Sequence, residues 1–172
     1  MIPAYIIHSS ACEDRDILVK KLIEETGATV VEAVYPGNPT LGCSLSHYKV
    51  AAWAKKIHPD LPYLVMEDDC VFFPGWKEAL FDISGEVVYL GYNDKLSHGL
   101  LTGTHAMLIY PRARDAILEK LPLLMKEKAL PYDWLVWKLW IDENISVGFP
   151  DKKNQLCEQA KGFRSTITGN IR

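Results

Sequence analysis

Hydrophobic positions fall into two rhythms along the chain. Short apolar, β-prone runs stand at AYIIH (4–8), ATVVEAVY (28–35), 62–67, EVVYLG (86–91) and HAMLIYP (105–111), and these read as strands. ISVGFP is a candidate last strand. Between them, apolar residues recur at helical spacing. In CEDRDILVKKLIEETG, Leu18, Val19, Leu22 and Ile23 form one face. Glu13 or Asp14 can cap or charge its start, and Gly27 sits where a helix end favours glycine. CSLSHYKVAAWAKKIH (43–58) is a second helix, with Leu45, Tyr48 and Ala52 at helical spacing and Pro59 just past its end. The preceding PGNPTLG (36–42) reads as a Pro/Gly-rich loop. GWKEALFDI, RARDAILEKL and PYDWLVWKLWI supply further helices, the last with Pro131 in its first turn. The tail, DKKNQLCEQAKGFRSTITGNIR, is polar and poorly periodic, so it is either disordered or folded back over a site.

Strands and helices alternate in order. That pattern predicts an α/β, Rossmann-like three-layer domain with a mainly parallel central sheet. In such sheets, ligands bind outside the carboxyl ends of the strands. A chain of 172 residues fits a single domain, 1–172, with a full core and no need of disulfide or metal staples.

Composition narrows the function classes. The net charge is −3 and no basic stripe is present, which argues against a nucleic-acid partner. No apolar run reaches the length of a membrane span, and MIPAYIIHSS lacks the charged start and long apolar middle of a signal peptide. Cysteines at 12, 43, 70 and 157 show no C-x-x-C or other zinc spacing. They read as free thiols in a reducing compartment, hence a cytoplasmic location.

The candidate chemistry starts where the strand at 62–67 ends. YLVMEDDCVFF stops an apolar run at Glu67, Asp68 and Asp69 and then resumes it. Adjacent carboxylates repel, and burying them unpaired is costly. A divalent cation between them and a phosphorylated ligand offsets that cost. Alternation along an extended segment points Glu67 and Asp69 one way and Asp68 the other. One face is then free for metal and the other for a ribose or sugar hydroxyl. The plainer alternative is a solvated acidic turn.

Six segments in order resemble glycosyltransferase family 25, the lipopolysaccharide and procollagen galactosyltransferase type. LGCSLSHYKVAAW is similar to its Gly-Cys-x-x-Ser-His helix start, and LVMEDDCVF to its acidic strand end. VVYLG, GTHAMLIYPRARDAIL, LPYDWLVW and FPDKKNQLCEQAKGFRSTI resemble its later motifs. Its usual opening is here IIHSSACEDR, with only Arg15 in a comparable place. The resemblance implies a GT-A-like fold and transfer of a sugar, galactose in the family, to a glycan or other hydroxyl acceptor. It also implies a nucleotide-sugar donor, with a UDP-sugar favoured, and Mn²⁺ or Mg²⁺.

Site roles follow from combining the residues with that chemistry. Asp69, supported by Glu67, is the expected metal ligand. Asp133, behind Pro131 at a helix start, is the candidate base for an inverting transfer, with helix N-capping as its alternative role. Ser44, His47, Glu67, Asp68, Gly103, Thr104, Gln155 and Arg164 are the expected donor and substrate contacts. His47 lies three residues after Ser44 on one predicted helix face, and the Cys43 and Ser44 amides sit where a helix start attracts phosphate. Thr102, Gly103 and Thr104 suit close approach of a sugar or simply a tight turn. Lys152, Lys153 and Arg164 either close over a diphosphate or are surface charge. Two rival functions remain at this stage. One is a thiol hydrolase with Cys43 activated at a helix start beside His47. The other is a non-catalytic sugar- or nucleotide-binding domain of the same fold.

Overall fold

The computed structural model describes residues 2–95, 101–127 and 130–161. In chain order the elements are β1 (Ala4–His8), a 3-10 helix (Glu13–Arg15), α1 (Asp16–Thr26), β2 (Thr29–Glu32), α2 (Pro39–Ile57), β3 (Tyr63–Glu67), β4 (Cys70–Phe72) and α3 (Trp76–Leu80). Then come β5 (Val87–Gly91), β6 (Asp94–Lys95), β7 (Leu101–Thr102), β8 (Ala106–Ile109), α4 (Pro111–Glu127), α5 (Tyr132–Asp142), β9 (Val147–Gly148), a second 3-10 helix (Lys152–Asn154) and β10 (Cys157–Gln159).

The main sheet has the order β2-β1-β3-β8-β5-β9. Strands β2, β1 and β3 are parallel to one another, as are β5 and β9. Strand β8 is antiparallel to both its neighbours. The sheet is therefore mainly parallel, as the alternation of elements predicts. The reversal of β8 has a local consequence. It brings the segment before β8 to the same sheet edge at which β1 and β3 end.

Period-two alternation sorts the strand side chains into two cores. Tyr5, Tyr63, Val65, Val87, Tyr89, Met107 and Ile109 pack with residues of α2, α4 and α5. Ala4, Ile6, Leu64, Met66, Val88, Leu90, Ala106 and Leu108 pack on the other face with α1, β4 and α3. The central strands are buried on both faces, which explains their unbroken apolar runs.

Boundaries depart from the sequence expectation at α2 and α4, and the tail takes the folded-back one of its two alternatives. Helix α2 begins at Pro39 rather than at Cys43. Asn38 caps it, its Oδ1 accepting from the amides of Thr40 (3.0 Å) and Leu41 (3.3 Å). Proline at the first helical position needs no hydrogen bond to its nitrogen, so the Pro/Gly punctuation marked a helix start. Gly42 belongs inside this helix because a β-carbon there would lie 2.6 Å from the Val34 carbonyl oxygen. Helix α4 runs through Pro122 to Glu127 instead of stopping at Leu121. Leu121 is fully buried in the helical core, and that packing outweighs the hydrogen bond that proline forfeits. Finally, the tail folds back as far as it is described: β10 pairs antiparallel with β4, Cys157 opposite Phe72 and Gln159 opposite Cys70.

Candidate functional site

The alternation that builds β3 also divides its acidic end. Tyr63 and Val65 face the α2 layer, and Glu67 continues that face. The Thr104 hydroxyl donates to Glu67 Oε1 at 2.9 Å, and His47 Nε2 stands 3.8 Å from the same oxygen. The Glu67 amide donates to the His105 carbonyl at 2.8 Å, which makes His105 its cross-strand neighbour. Burial alone would raise the Glu67 pKa. The His47 and His105 imidazoles and the Thr104 hydroxyl outweigh it and hold the carboxyl at about 2.

Asp68 turns to the opposite face. It is buried against the Arg15 guanidinium and His8 Nδ1, the latter at 2.8 Å. His8 continues the Ala4–Ile6 face of β1, and its Nε2 reaches Asp16 at 3.1 Å. Asp68 is thus engaged in a buried ion pair with Arg15, and both residues also line the smaller of the two cavities described below.

Asp69 is served on one oxygen only. Gln159 Nε2 donates to Oδ2 at 2.8 Å, and the Arg15 guanidinium lies 3.4 Å from that atom. Oδ1 is buried with no hydrogen-bond partner among the described residues. Burial and the neighbouring Glu67 carboxylate raise the pKa of Asp69 to about 6, against the pull of Gln159 and Arg15. One ligand atom each from Glu67, Asp69 and His105 fall within 4.8 Å of one another. Two carboxylates and an imidazole suit Mn²⁺, and a cation there would give Asp69 Oδ1 its missing partner. The residues present fit a divalent ion.

Two cavities meet at this cluster. One, of about 90 Å³, is lined by Ser9, Arg15, Tyr35, Ser46, His47 and Asp69 among others. The second, of about 260 Å³, is lined by Asn93, Gly103, Thr104, His105, Tyr132 and Asp133. Cys43 and Glu67 line both, so they form the common wall. Asp133 lies in the first turn of α5, whose N-cap is Pro131, so it does not serve as the cap. The Trp134 amide donates to its Oδ1 at 3.0 Å. Burial raises its pKa, opposed by the amides of Gly103 and Trp134. Gly103 has φ +86°, and a β-carbon would lie 2.9 Å from both Asn93 Nδ2 and His105 Nε2. Only glycine lets the backbone pass this close.

Not every expected contact arrives here. Glu67, Asp69, His47, Gly103, Thr104 and Asp133 converge. Ser44 does not: its hydroxyl donates to the Thr40 carbonyl at 3.4 Å, and it lines a separate hollow with Met125 and Leu135. Because α2 starts at Pro39, Cys43 and Ser44 lie a full turn inside it, and their amides are committed to the helix rather than free for phosphate. The same fact removes the thiol-hydrolase case. Burial, with the charges of Glu67 and Asp133, pushes the Cys43 thiol well above its ordinary pKa instead of lowering it. Gln155 donates to the Tyr92 carbonyl at 2.8 Å and lines a different hollow with Lys152 and Lys153. The glutamine at the cluster is Gln159. Lys152 donates to the Asn93 carbonyl at 2.9 Å. Arg164 lies outside the described residues.

Three participants were not anticipated: His8, His105 and Gln159. Arg15 had only a place in the motif, without the ion pair it makes. His8 is legible in retrospect, since period two from Ala4 and Ile6 predicts its face. His105 depends on the reversal of β8, and Gln159 on a pairing with β4 across the chain.

No protein-family model matches the chain, and no curated protein sequence matches it. Its fold is shared with solved structures at low sequence identity. A glycosyltransferase involved in glycosylation of the major capsid of PBCV-1 superposes with TM-score 0.57 at 13% identity, covering 87% of this chain and 82% of that one. The glycosyltransferase GlyE of Streptococcus pneumoniae TIGR4 gives 0.56 at 9%, covering 89% of this chain and 46% of that one. The inositol-1-phosphate CTP transferase from T. maritima gives 0.50 at 11%, covering 88% and 86%. The chain therefore has the mixed α/β fold of GT-A-like glycosyltransferases and of a nucleotidyltransferase. Membership of family 25 is not established by these matches.

Proposed function

We propose that the protein is a metal-dependent glycosyltransferase that moves a sugar from a nucleotide-sugar donor to a hydroxyl of a glycan or similar acceptor. The observation that carries this is the half-satisfied Asp69, buried in the lining of the smaller cavity beside Glu67, which that cavity shares with the larger one, at the carboxyl edge of the sheet. The shared fold and the ordered family 25 motifs support the same reading, with a UDP-sugar as favoured donor. Glu67, Asp69 and His105 would hold a Mn²⁺ or Mg²⁺ ion, which when bound supplies positive charge against a leaving diphosphate.

The chain's own residues divide the remaining work. The smaller cavity, beside β1, β2 and α2, takes the nucleotide side of the donor. The larger takes the sugar and the acceptor hydroxyl. Asp133 accepts the proton of that hydroxyl as its oxygen attacks the anomeric carbon and the bond to the diphosphate oxygen breaks, inverting the centre. Its raised pKa brings it closer to the range useful for a base near neutral pH. Gly103 lets the Asn93 and His105 side chains pack directly on the backbone in the wall of the larger cavity.

The test is a thermal-shift screen of nucleotide sugars with Mn²⁺ and with chelator, on wild type and Asp69→Asn. One nucleotide sugar should raise the wild-type midpoint only with metal, and the variant should not respond. A wild type that responds to none of them, with or without metal, would leave a non-catalytic domain as the better account.

A further inference from the structure

Glu67 also belongs to a second group of side chains. Cys43 and His47 stand four residues apart on α2, so they share one helix face. That face looks onto the end of β3, where Glu67 continues the Val65 side of the strand. One ligand atom each from Cys43, His47 and Glu67 lie within 4.8 Å of one another. His47 is 2% exposed, and neither ring nitrogen has a hydrogen-bond partner among the described residues. Its ring is clamped by Tyr132, stacked at 4.0 Å and 14°. A buried imidazole with both nitrogens unserved is costly, and Nε2 stops short of Glu67 at 3.8 Å. Something placed between thiol, imidazole and carboxylate would satisfy all three.

We propose that Cys43 Sγ, a ring nitrogen of His47 and the Glu67 carboxylate bind a zinc-like divalent cation in the wall between the two cavities. The donor set decides the class. Thiolate and imidazole select borderline-soft zinc, whereas Mg²⁺ and Mn²⁺ favour oxygen-rich sets. Three protein ligands leave one position of a tetrahedral ion, which opens on the cavities that Cys43 and Glu67 both line. On binding, the Cys43 thiol releases its proton to solvent and its sulfur lone pair bonds the cation; no electron is transferred. The Cys-x-x-x-His spacing supplies only two ligands. The third comes from β3, which no linear spacing displays. The proposal does not depend on sugar transfer, since it turns on Cys43 and its test reads a sulfur–metal bond.

The experiment is titration of the reduced 172-residue chain with Co²⁺, following the near-ultraviolet thiolate-to-cobalt charge-transfer band, then displacement by Zn²⁺. The wild type should develop the band to saturation and lose it as zinc replaces cobalt. Cys43→Ala and His47→Gln should abolish it and weaken Co²⁺ binding by about a hundredfold or more. Cys12→Ser and Asp69→Asn should keep it. Failure of the wild type to bind cobalt, or binding without a thiolate band, overturns the proposal without any variant being needed. So does a band that survives Cys43→Ala. If Cys43→Ala does not fold, His47→Gln decides the same point. Loss of Mn²⁺-dependent nucleotide-sugar binding in Asp69→Asn, with the cobalt band intact, separates this site from the transferase reading.

Discussion

Buried charge lies at both ends of β3, and the two ends are built differently. At the amino end, Arg114 is 2% exposed, and each part of its guanidinium has a partner. It donates to the carbonyls of His58 (3.2 Å) and Pro59 (2.6 Å) beyond α2 and to Asp115 (3.2 Å). At the carboxyl end, Asp68 is similarly complete, held by Arg15 and His8. One residue further on, Asp69 Oδ1 and both nitrogens of His47 are buried without hydrogen-bond partners among the described residues. The same chain closes one buried cluster with carbonyls and a guanidinium and leaves another open. The fold can satisfy buried polar groups, so the open cluster points to a ligand rather than to poor packing.

The comparison breaks first at Asp69. Asp69→Ala should abolish metal-dependent transfer, a loss beyond about a hundredfold, while circular dichroism reports an intact fold. Unchanged turnover would sink the site assignment. Arg114→Met should do the reverse. It takes the Arg114 donor from the Pro59 carbonyl and one of two donors from the His58 carbonyl, so chemical denaturation should show a loss of about 2–4 kcal/mol with donor affinity unchanged. A smaller effect sharpens the contrast through pH. The folded pKa of Asp69 is raised, so stability is fullest below the ordinary aspartate value and declines as pH rises through about 6. That decline should be on the order of 2–3 kcal/mol in chelator and absent in Asp69→Asn. Mn²⁺ should cancel it by holding the carboxylate ionised. A metal-free stability curve flat from pH 4 to pH 7 would contradict the buried, half-satisfied carboxylate. Smallest, Gln159→Leu should cost about 1 kcal/mol of stability, because it removes one hydrogen bond from Oδ2.

How legible was this in the sequence? Period two in β3 was enough to separate Glu67 from Asp68, because a strand leaves no choice of face. It could not say that Asp68 would be spent on Arg15, since that ion pair joins β3 to the turn before α1. The reversal of β8 leaves a trace in the sequence. Residues 92–104 contain no helical pattern, and parallel neighbours in a sheet need a crossover. The start of α2 was misplaced because Pro39 and Gly42 break helix interiors but are compatible with a first turn and with close packing. Gln155 and Gln159 look alike in a polar tail. Only the pairing of β10 with β4, fixed by register across the fold, says which one meets Asp69.

That pairing also sets an order in time. The Ala160 backbone amide donates to the Asp69 carbonyl at 2.7 Å, and the Gln159 side-chain Nε2 to the Asp69 carboxylate. Both partners are made long after β3 leaves the ribosome, and closing so long a loop is slow. The sheet can therefore assemble around β1 and β3 while the acidic turn is still unpinned. The turn becomes a finished site only when β10 docks, and it is the first part to come undone when that strand lifts. In hydrogen exchange, the amides of β10 and of the Asp69 turn should open together, ahead of β3.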